Sequence, residues 1–478
     1  MRACVAALVR VTSRAIPTGA SFVMHPDLHL EKAVVEEFRA RLRGDLLQPN
    51  DAAYDSTRKV WNEMVDKRPA LIVRCKGVAD VIAGVRFARQ HDLLLAVRGG
   101  GHNVAGNAVC DGGLMLDCAG MKSVRVDQIA RTARAEPGVT WAELNHETQT
   151  FGLATTGGVV SHTGIAGLTL GGGLGWLAAK HGYTCDNLIA ADVVTADGNL
   201  VRASAEQNPD LLWALRGGGG NFGVVTSFEF QLHPVAPIVY GGMVAWPFEA
   251  ARDVLKFYGE ICRDCPDDLA INAGIIYTPD GHHVVALIGA WLGDMAEAEA
   301  RLAPIRNFAA PIADMMGPIP YTVLNTLFDG GNPFGVHRYW KSGYFAELGD
   351  ELIDRVIEHA AATTSPMSAI LLFRVDGACT RKDPSATAFS LREACWDFDV
   401  IAQWTDPATT EDHIAWARKL WNAVEPFSRG VYVNHLDADD PKGRIRSAYG
   451  ANYERLAQLK TQYDPTNFFR MNNNIPPG

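Results

Sequence analysis

The chain has 478 residues, 47% of them hydrophobic and 21% charged, with a formal net charge of -10. That is enough for two or three domains and a sizeable core, and it excludes general disorder. The acidic balance, with no basic stripe, excludes nucleic acid as the main partner, and no apolar run reaches the ~18 residues of a membrane span. Nine cysteines at irregular spacing argue against a disulfide framework. The single CxxC, Cys262 to Cys265, has no second ligand pair, and the adjacent His282-His283 reads as strand surface, so no metal is expected.

Met1 to Met24 mixes Arg2, Arg10 and Arg14 with short apolar pieces. Ala3 to Val9 sits at the lower limit of a signal-peptide core, and no convincing cleavage site follows. Residues 1–25 therefore read as a loose N-terminus on a cytoplasmic protein, with secretion left open. Helical spacing covers Leu28 to Leu42. Tyr54 to Asn62 leads through Arg68-Pro69-Ala70 into a strand, Leu71 to Arg74. Val78 to His91 is an amphipathic helix with Val78, Val81, Ile82, Val85 and Ala88 on one stripe.

Leu93 to Val97 is a buried strand that ends in Arg98-Gly99-Gly100-Gly101-His102-Asn103-Val104-Ala105-Gly106. Short strands follow at Leu114 to Asp117 and Arg131 to Ala135, and a helix near Ala142 to Phe151. A second glycine-rich region runs Gly157-Gly158-Val159-Val160-Ser161-His162-Thr163-Gly164, through Gly167, to Gly171-Gly172-Gly173-Leu174-Gly175. A helix from Trp176 ends at Gly182, a natural C-cap. Asp186 to Thr195 is a strand with a hairpin turn at Asp197-Gly198.

A third cluster, Arg216 to Gly223, satisfies GxGxxG at Gly218, Gly220 and Gly223. A dinucleotide fingerprint of that type must lead into a helix. Here the β-branched and aromatic run Val224 to Phe230 leads into a strand, so the Rossmann reading is rejected. After Pro234 the clusters stop. Val244 to Phe248, the hairpin Ile271 to Tyr277 with His283 to Trp291, and helices at Ala250 to Cys262 and Met295 to Phe308 predict an antiparallel sheet covered by helices, residues 236–430. The whole is an α+β protein.

Glycine turns without Cβ atoms can aim several N–H groups at one point and let an anion approach closely. Gly99, Gly100 and Gly101 thus read as a phosphate or pyrophosphate cradle. His102 inside it is either a hydrogen-bonding residue or a nucleophile toward a bound cofactor. In Trp396 to Trp404, strand alternation puts Asp397, Asp399, Ile401 and Gln403 on one face, with Trp396, Phe398, Val400, Ala402 and Trp404 on the other. Two carboxylates that close repel, which raises one pKa and suits a general base. The competing reading is a solvated, salt-bridged face.

The Arg98 to Asn103 loop, the Arg216 to Val225 cluster and the tail Tyr463 to Ile475 resemble the berberine-bridge-enzyme-like FAD-linked oxidases of the vanillyl-alcohol-oxidase superfamily. The resemblance spans about Arg68 to Ile475. It implies a two-part FAD-binding domain of the PCMH type (26–235), a substrate domain (236–430) and a C-terminal segment (431–478) that returns to the first. It also implies FAD bonded through His102 and held by Arg98, Gly99, Gly100, Gly101, Asn103, Gly106, Gly157, Val160, Ser161, Thr163, Gly164, Gly167, Val225, Asn472 and Asn474.

Many members add a second flavin bond through a cysteine; Val160 stands at that position, so one bond is expected. Thr163 falls where the family's residue influences oxygen access. The family places acidic, basic or amide side chains at Asp397 and Asp399, and a tyrosine at Tyr432 over the flavin, as candidate base. Alternation along a strand would set Asn434 on the same face as Tyr432. Arg338, Trp340 and Lys341 belong either to the pocket rim or to the framework. The expected reaction is hydride transfer from a small organic substrate (alcohol, sugar, amine or secondary metabolite), with dioxygen as acceptor and hydrogen peroxide as product. A dehydrogenase with another acceptor and a flavin-binding protein with a degenerate site are the alternatives. The sequence leaves the oligomeric state open.

Overall fold

A computed structural model describes residues 30–478. The N-terminal reading and the first residues of the helix expected from Leu28 lie outside that range; the helix itself runs Lys32–Ala40. The first sheet contains β1 (Asp45–Leu47), β2 (Leu71–Arg74), β3 (Leu95–Arg98) and β4 (Leu114–Asp117) in the order β1-β2-β4-β3. β2, β4 and β3 are parallel, and the helix Val78–Gln90 makes the crossover. Its stripe packs into a core with Leu71, Val73, Leu95, Leu114 and Leu116.

The second sheet contains β5 (Val124–Asp127), β6 (Thr132–Ala135), β8 (Leu188–Val194), β9 (Leu200–Ser204) and β10 (Val224–Gln231), all antiparallel, in the order β5-β6-β10-β8-β9. β7 (Leu153–Ala154) and β11 (His233–Pro234) form a separate two-residue antiparallel pair. The helix Trp141–Gln149 starts with a reciprocal cap: Thr140 accepts from Glu143 N, and the Glu143 carboxylate accepts from Thr140 N. The C-terminal helix Tyr453–Tyr463 lays Leu456, Ala457 and Leu459 into the same core as Phe222, Phe228 and Phe230.

The third sheet has eight strands: β12 (Ile238–Pro247), β13 (Leu269–Tyr277), β14 (His283–Trp291), β15 (Ala313–Asp314), β16 (Gly317–Pro320), β17 (His337–Phe345), β18 (Ala369–Val375) and β19 (Cys395–Trp404). The order is β15-β12-β14-β13-β18-β19-β17, with β16 also on β12. Helices Ala251–Ile261, Ala298–Arg306, Asp350–Ala360 and Thr410–Val424 cover one face, packing on Trp246, Leu287, Leu372, Phe398, Val400 and Trp404. The opposite face carries Ala245, Ala286, Ile288, Leu371, Phe373 and Ile401 and packs against Ala154, Trp176 and Leu177 from the first half of the chain. The sheet is therefore covered on both sides, and alternate residues of each strand enter different environments. That is why β19 is buried along nearly its whole length although it carries two acids.

The sequence reading leaves many elements without a range, among them β17, β18 and the helices Asp350–Ala360 and Thr410–Val424, and two further misses bear on the site. The helix Ile165–Leu170 lies inside the second glycine-rich region, where glycine density masks the helical spacing. Tyr432 and Asn434 are not on a strand: Val433–His435 is a 3-10 turn. Among the described residues no helix is long and apolar enough to cross a membrane, and the described cysteines are unpaired.

Candidate active site

A cavity of about 350 Å³ lies between the glycine clusters and the open face of the third sheet. Its glycine wall is built from backbone. Gly100 and Gly164 pass so closely that a Cβ on Gly164 would stand 2.5 Å from Gly100 N, and a Cβ on Gly99 2.8 Å from Pro137 O. Gly101 adopts φ +72°, which glycine takes without strain. The loop is tethered from behind by Arg98, whose Nη2 is 2.7 Å from Asp117 Oδ2 at the end of β4, while Nη1 donates to Thr57 O and Lys59 O.

His102 sits on this wall with both ring nitrogens engaged. Nε2 is 2.8 Å from His162 Nδ1, and Nδ1 is 3.2 Å from Thr163 Oγ1. Trp61 stacks on the imidazole with centroids 4.9 Å apart and planes at 15°, and the buried Arg338 guanidinium lies 3.8 Å over the Trp61 ring. Burial, aided by His162 and Arg338, pushes the His102 pKa down to about 3. The ring is therefore neutral at neutral pH, with one lone pair available for bonding.

The sheet wall is built from side chains. Across β17, β19 and β18 the register sets Trp340 opposite Ile401, Asp399 between Ser342 and Leu371, and Asp397 between Tyr344 and Phe373. Asp397 and Asp399 are both fully buried, at 0% exposure. Asp399 Oδ1 accepts from Trp340 Nε1 at 2.8 Å and lies 2.8 Å from His435 Nδ1. Neither oxygen of Asp397 has a hydrogen-bond partner, and its Oδ2 is 3.5 Å from His435 Nδ1.

Burial first, and the Asp399 charge second, raise the Asp397 pKa well above the carboxylate range. For His435, burial works downward and is outweighed by Asp399 and Asp397, so its pKa is raised. Donor atoms of Asp397, Asp399 and His435 lie within 4.8 Å of one another, a spacing that also suits a metal ion.

Tyr432 closes the site from the tail. Its hydroxyl oxygen accepts from Gly173 N at 2.7 Å and from Asn434 Nδ2 at 2.9 Å. A Cβ on Gly171 would collide with the Asn434 amide, so the second glycine cluster admits this turn. Burial raises the Tyr432 pKa, the reverse of the lowering that a phenolic base needs.

Gly99, Gly100, Gly101, His102, Asn103, Val160, Thr163, Gly164, Gly167, Val225, Asn472, Asp397, Asp399 and Tyr432 all face the cavity, as does Trp340. Five other expected contacts do not line it. Arg98 is the tether described above, and Gly106 makes room for Val65. Gly157 makes room for Trp141. Ser161 bonds the Asp329 carboxylate through N and Oγ at 2.8 and 2.6 Å. Asn474 has a buried Oδ1 without a partner. Arg338 and Lys341 are framework: Arg338 serves carbonyls and Gln403, and Lys341 binds Asp439 and Asp440.

His435, Trp61 and His162 are the residues that sequence reasoning left without a role. His435 was detectable: a tight turn returns to the same side after three residues, whereas a strand does so after two.

The wall fits a flavin dinucleotide. It is long and glycine-lined, and it carries buried polar atoms that lack a protein partner, Asn472 Oδ1 and Tyr449 Oη. Asn472 Nδ2 is meanwhile fixed on Gly220 O and Phe469 O, both at 3.1 Å. Such a two-sheet cradle facing a separate antiparallel sheet defines a class, the FAD-binding oxidoreductases with a two-part flavin domain.

Comparison with known proteins narrows the class. The FAD binding domain family matches residues 69–204, and the "Berberine and berberine like" family matches residues 431–476. An FAD-linked oxidoreductase of Dictyostelium discoideum is 33% identical over 451 residues, 93% of this chain and 97% of that one. The (R)-6-hydroxynicotine oxidase of Paenarthrobacter nicotinovorans is 30% identical over 458 residues, 91% and 97% of the two chains. The crystal structure of 6-hydroxy-D-nicotine oxidase from Arthrobacter nicotinovorans superposes with a TM-score of 0.85 at 28% identity, covering 91% of this chain and 98% of that one. The chain belongs to the berberine-bridge-enzyme-like family of FAD-linked oxidoreductases, and it is an enzyme of that type.

Proposed function

We propose that this enzyme is an oxidase. It takes a hydride from a small organic substrate and passes the electrons to dioxygen, with FAD bonded covalently through His102. One observation carries the reading: a neutral His102 on the glycine wall shares a cavity with a buried Asp397 whose two oxygens are free. FAD bound there supplies the two-electron acceptor.

The chain's own residues divide the remaining work. Asp397 takes the substrate's proton; a carboxylate with a raised pKa is a stronger base once ionised. Trp340 and His435 hold Asp399 in place beside it. Tyr432 keeps its proton, and with two donors on its oxygen it presents O–H to the cavity. Val160 offers no thiol, which leaves His102 as the single attachment point.

A peroxide-release screen over sugars, alcohols, cyclic amines and polyketide-like metabolites tests the reaction. Peroxide formed under air supports it, and electrons that reach only an added dye refute the oxidase reading. Acid precipitation tests the bond: a yellow pellet from the wild type and a colourless one from His102→Ala are expected, and a colourless wild-type pellet refutes it.

A further inference from the structure

The sheet wall carries two acids and too few partners for them. Among the described residues, the cation-forming side chain that reaches Asp397 is His435, at 3.5 Å, and it sits closer to Asp399, at 2.8 Å. The other nearby cations are committed elsewhere. Lys341 is bound to Asp439 and Asp440, and Arg338 is bound to Gln403 and backbone carbonyls. Asp397 is thus a fully buried carboxyl with both oxygens unpartnered, facing an open cavity. A buried carboxylate without a hydrogen-bond partner is costly, and His435, shared with Asp399, relieves it only in part.

Part of the surface around the acid is apolar. Val160, Leu174, Phe328, Leu371, Phe373 and Ile401 line the same cavity. A compact apolar body with one positive charge meets both halves of the surface. We propose that the substrate is an amine that enters as its ammonium ion, with the nitrogen against Asp397 and the hydrocarbon body against Phe328, Leu371 and Phe373. This rests on the oxidase reading above and names its substrate class.

The chemistry balances. The ammonium R2CH–NH3+ gives one N–H proton to the Asp397 carboxylate, leaving the neutral amine. The α-carbon then loses hydride, the C–H pair of electrons going to FAD, and the nitrogen lone pair forms the C=N bond. The product is the iminium R2C=NH2+, which water converts to a carbonyl compound and ammonium. Dioxygen takes the two electrons and two protons to give hydrogen peroxide.

The test uses the oxidised holoenzyme and two probes without an oxidisable N–H group, benzyltrimethylammonium and the neutral benzyl isopropyl ether. Binding is read from the shift of the flavin absorption band. The cation should bind at least tenfold more tightly, and the isosteric Asp397→Asn variant should lose that preference while keeping its flavin and its melting temperature. If Asp397→Asn fails to fold, Asp399→Asn should weaken the same preference.

Equal or tighter binding of the ether would overturn the proposal, as would a preference that survives in Asp397→Asn. So would a stoichiometric divalent metal in the purified holoenzyme, found by elemental analysis, since it would occupy the acid pair. The binding is measured without turnover. A protein that prefers the cation but whose flavin no amine bleaches would refute the oxidase reading and leave the cation site standing.

Discussion

The two walls of the cavity are made differently. The glycine wall is tightest where backbone meets backbone, as at Gly100 and Gly164, which leave no space for a side chain. The sheet wall is side chains on a ladder whose other face is locked by helices, with Asp397, Asp399 and Ile401 on one side and Phe398, Val400 and Trp404 on the other. Backbones in such contact admit no added side chain. A wall of alternating side chains can be altered residue by residue while its reverse face keeps the fold. Under the proposed function the cofactor belongs to the first wall and substrate choice to the second.

That division can be broken at several points. Gly100→Val drives side-chain atoms into the Gly164 backbone. Complete loss of flavin is expected, measured as the absorbance ratio of purified protein; a yellow variant would show that the backbone wall can yield. Asp397→Asn should lower kcat/KM by about 10²- to 10⁴-fold, the usual range for a lost general base, with flavin content intact.

In the wild type kcat/KM should rise with pH through an apparent pKa above the ordinary carboxylate range, because Asp397 must lose its proton to act. A flat acid limb would remove it from that role. Trp404→Ala, on the helix side of β19, should cost about 3–5 kcal/mol of stability by cavity formation. Activity per folded molecule should change little; a large fall in kcat would mean the two faces are not independent.

The smallest effect concerns Asp437, which accepts from Trp340 N at 3.0 Å and whose pKa burial raises to about 6. Its unfolded value is near 3.8. Between those values the folded state holds the proton more tightly, so the stability this group contributes is full below about pH 4 and is lost as pH rises through about 6. Asp437→Asn should flatten denaturation midpoints across that window, and an unchanged slope would assign the dependence elsewhere.

Much of this was legible in the chain itself. Glycine clusters mark where backbones must touch, and period-two alternation set Asp397 and Asp399 on one face of β19. The strand after Gly223, Val224–Gln231, excludes a Rossmann unit. The errors have physical causes. Arg98, Gly106, Gly157 and Ser161 belong to glycine-rich loops but pack against Asp117, Val65, Trp141 and Asp329. A motif shows that a turn is tight without showing which side meets a ligand.

Local residue pattern, then, determined many of the elements, the glycine turns and the pair of acids on one face, because each depends on neighbours within a few positions. Only the tertiary structure brought His162 to His102, laid Trp61 and Arg338 behind it, and turned His435 onto Asp399. Those contacts join segments 36 to 277 positions apart. The protonation states of His102 and Asp397 follow from that burial, which no stretch of sequence expresses by itself.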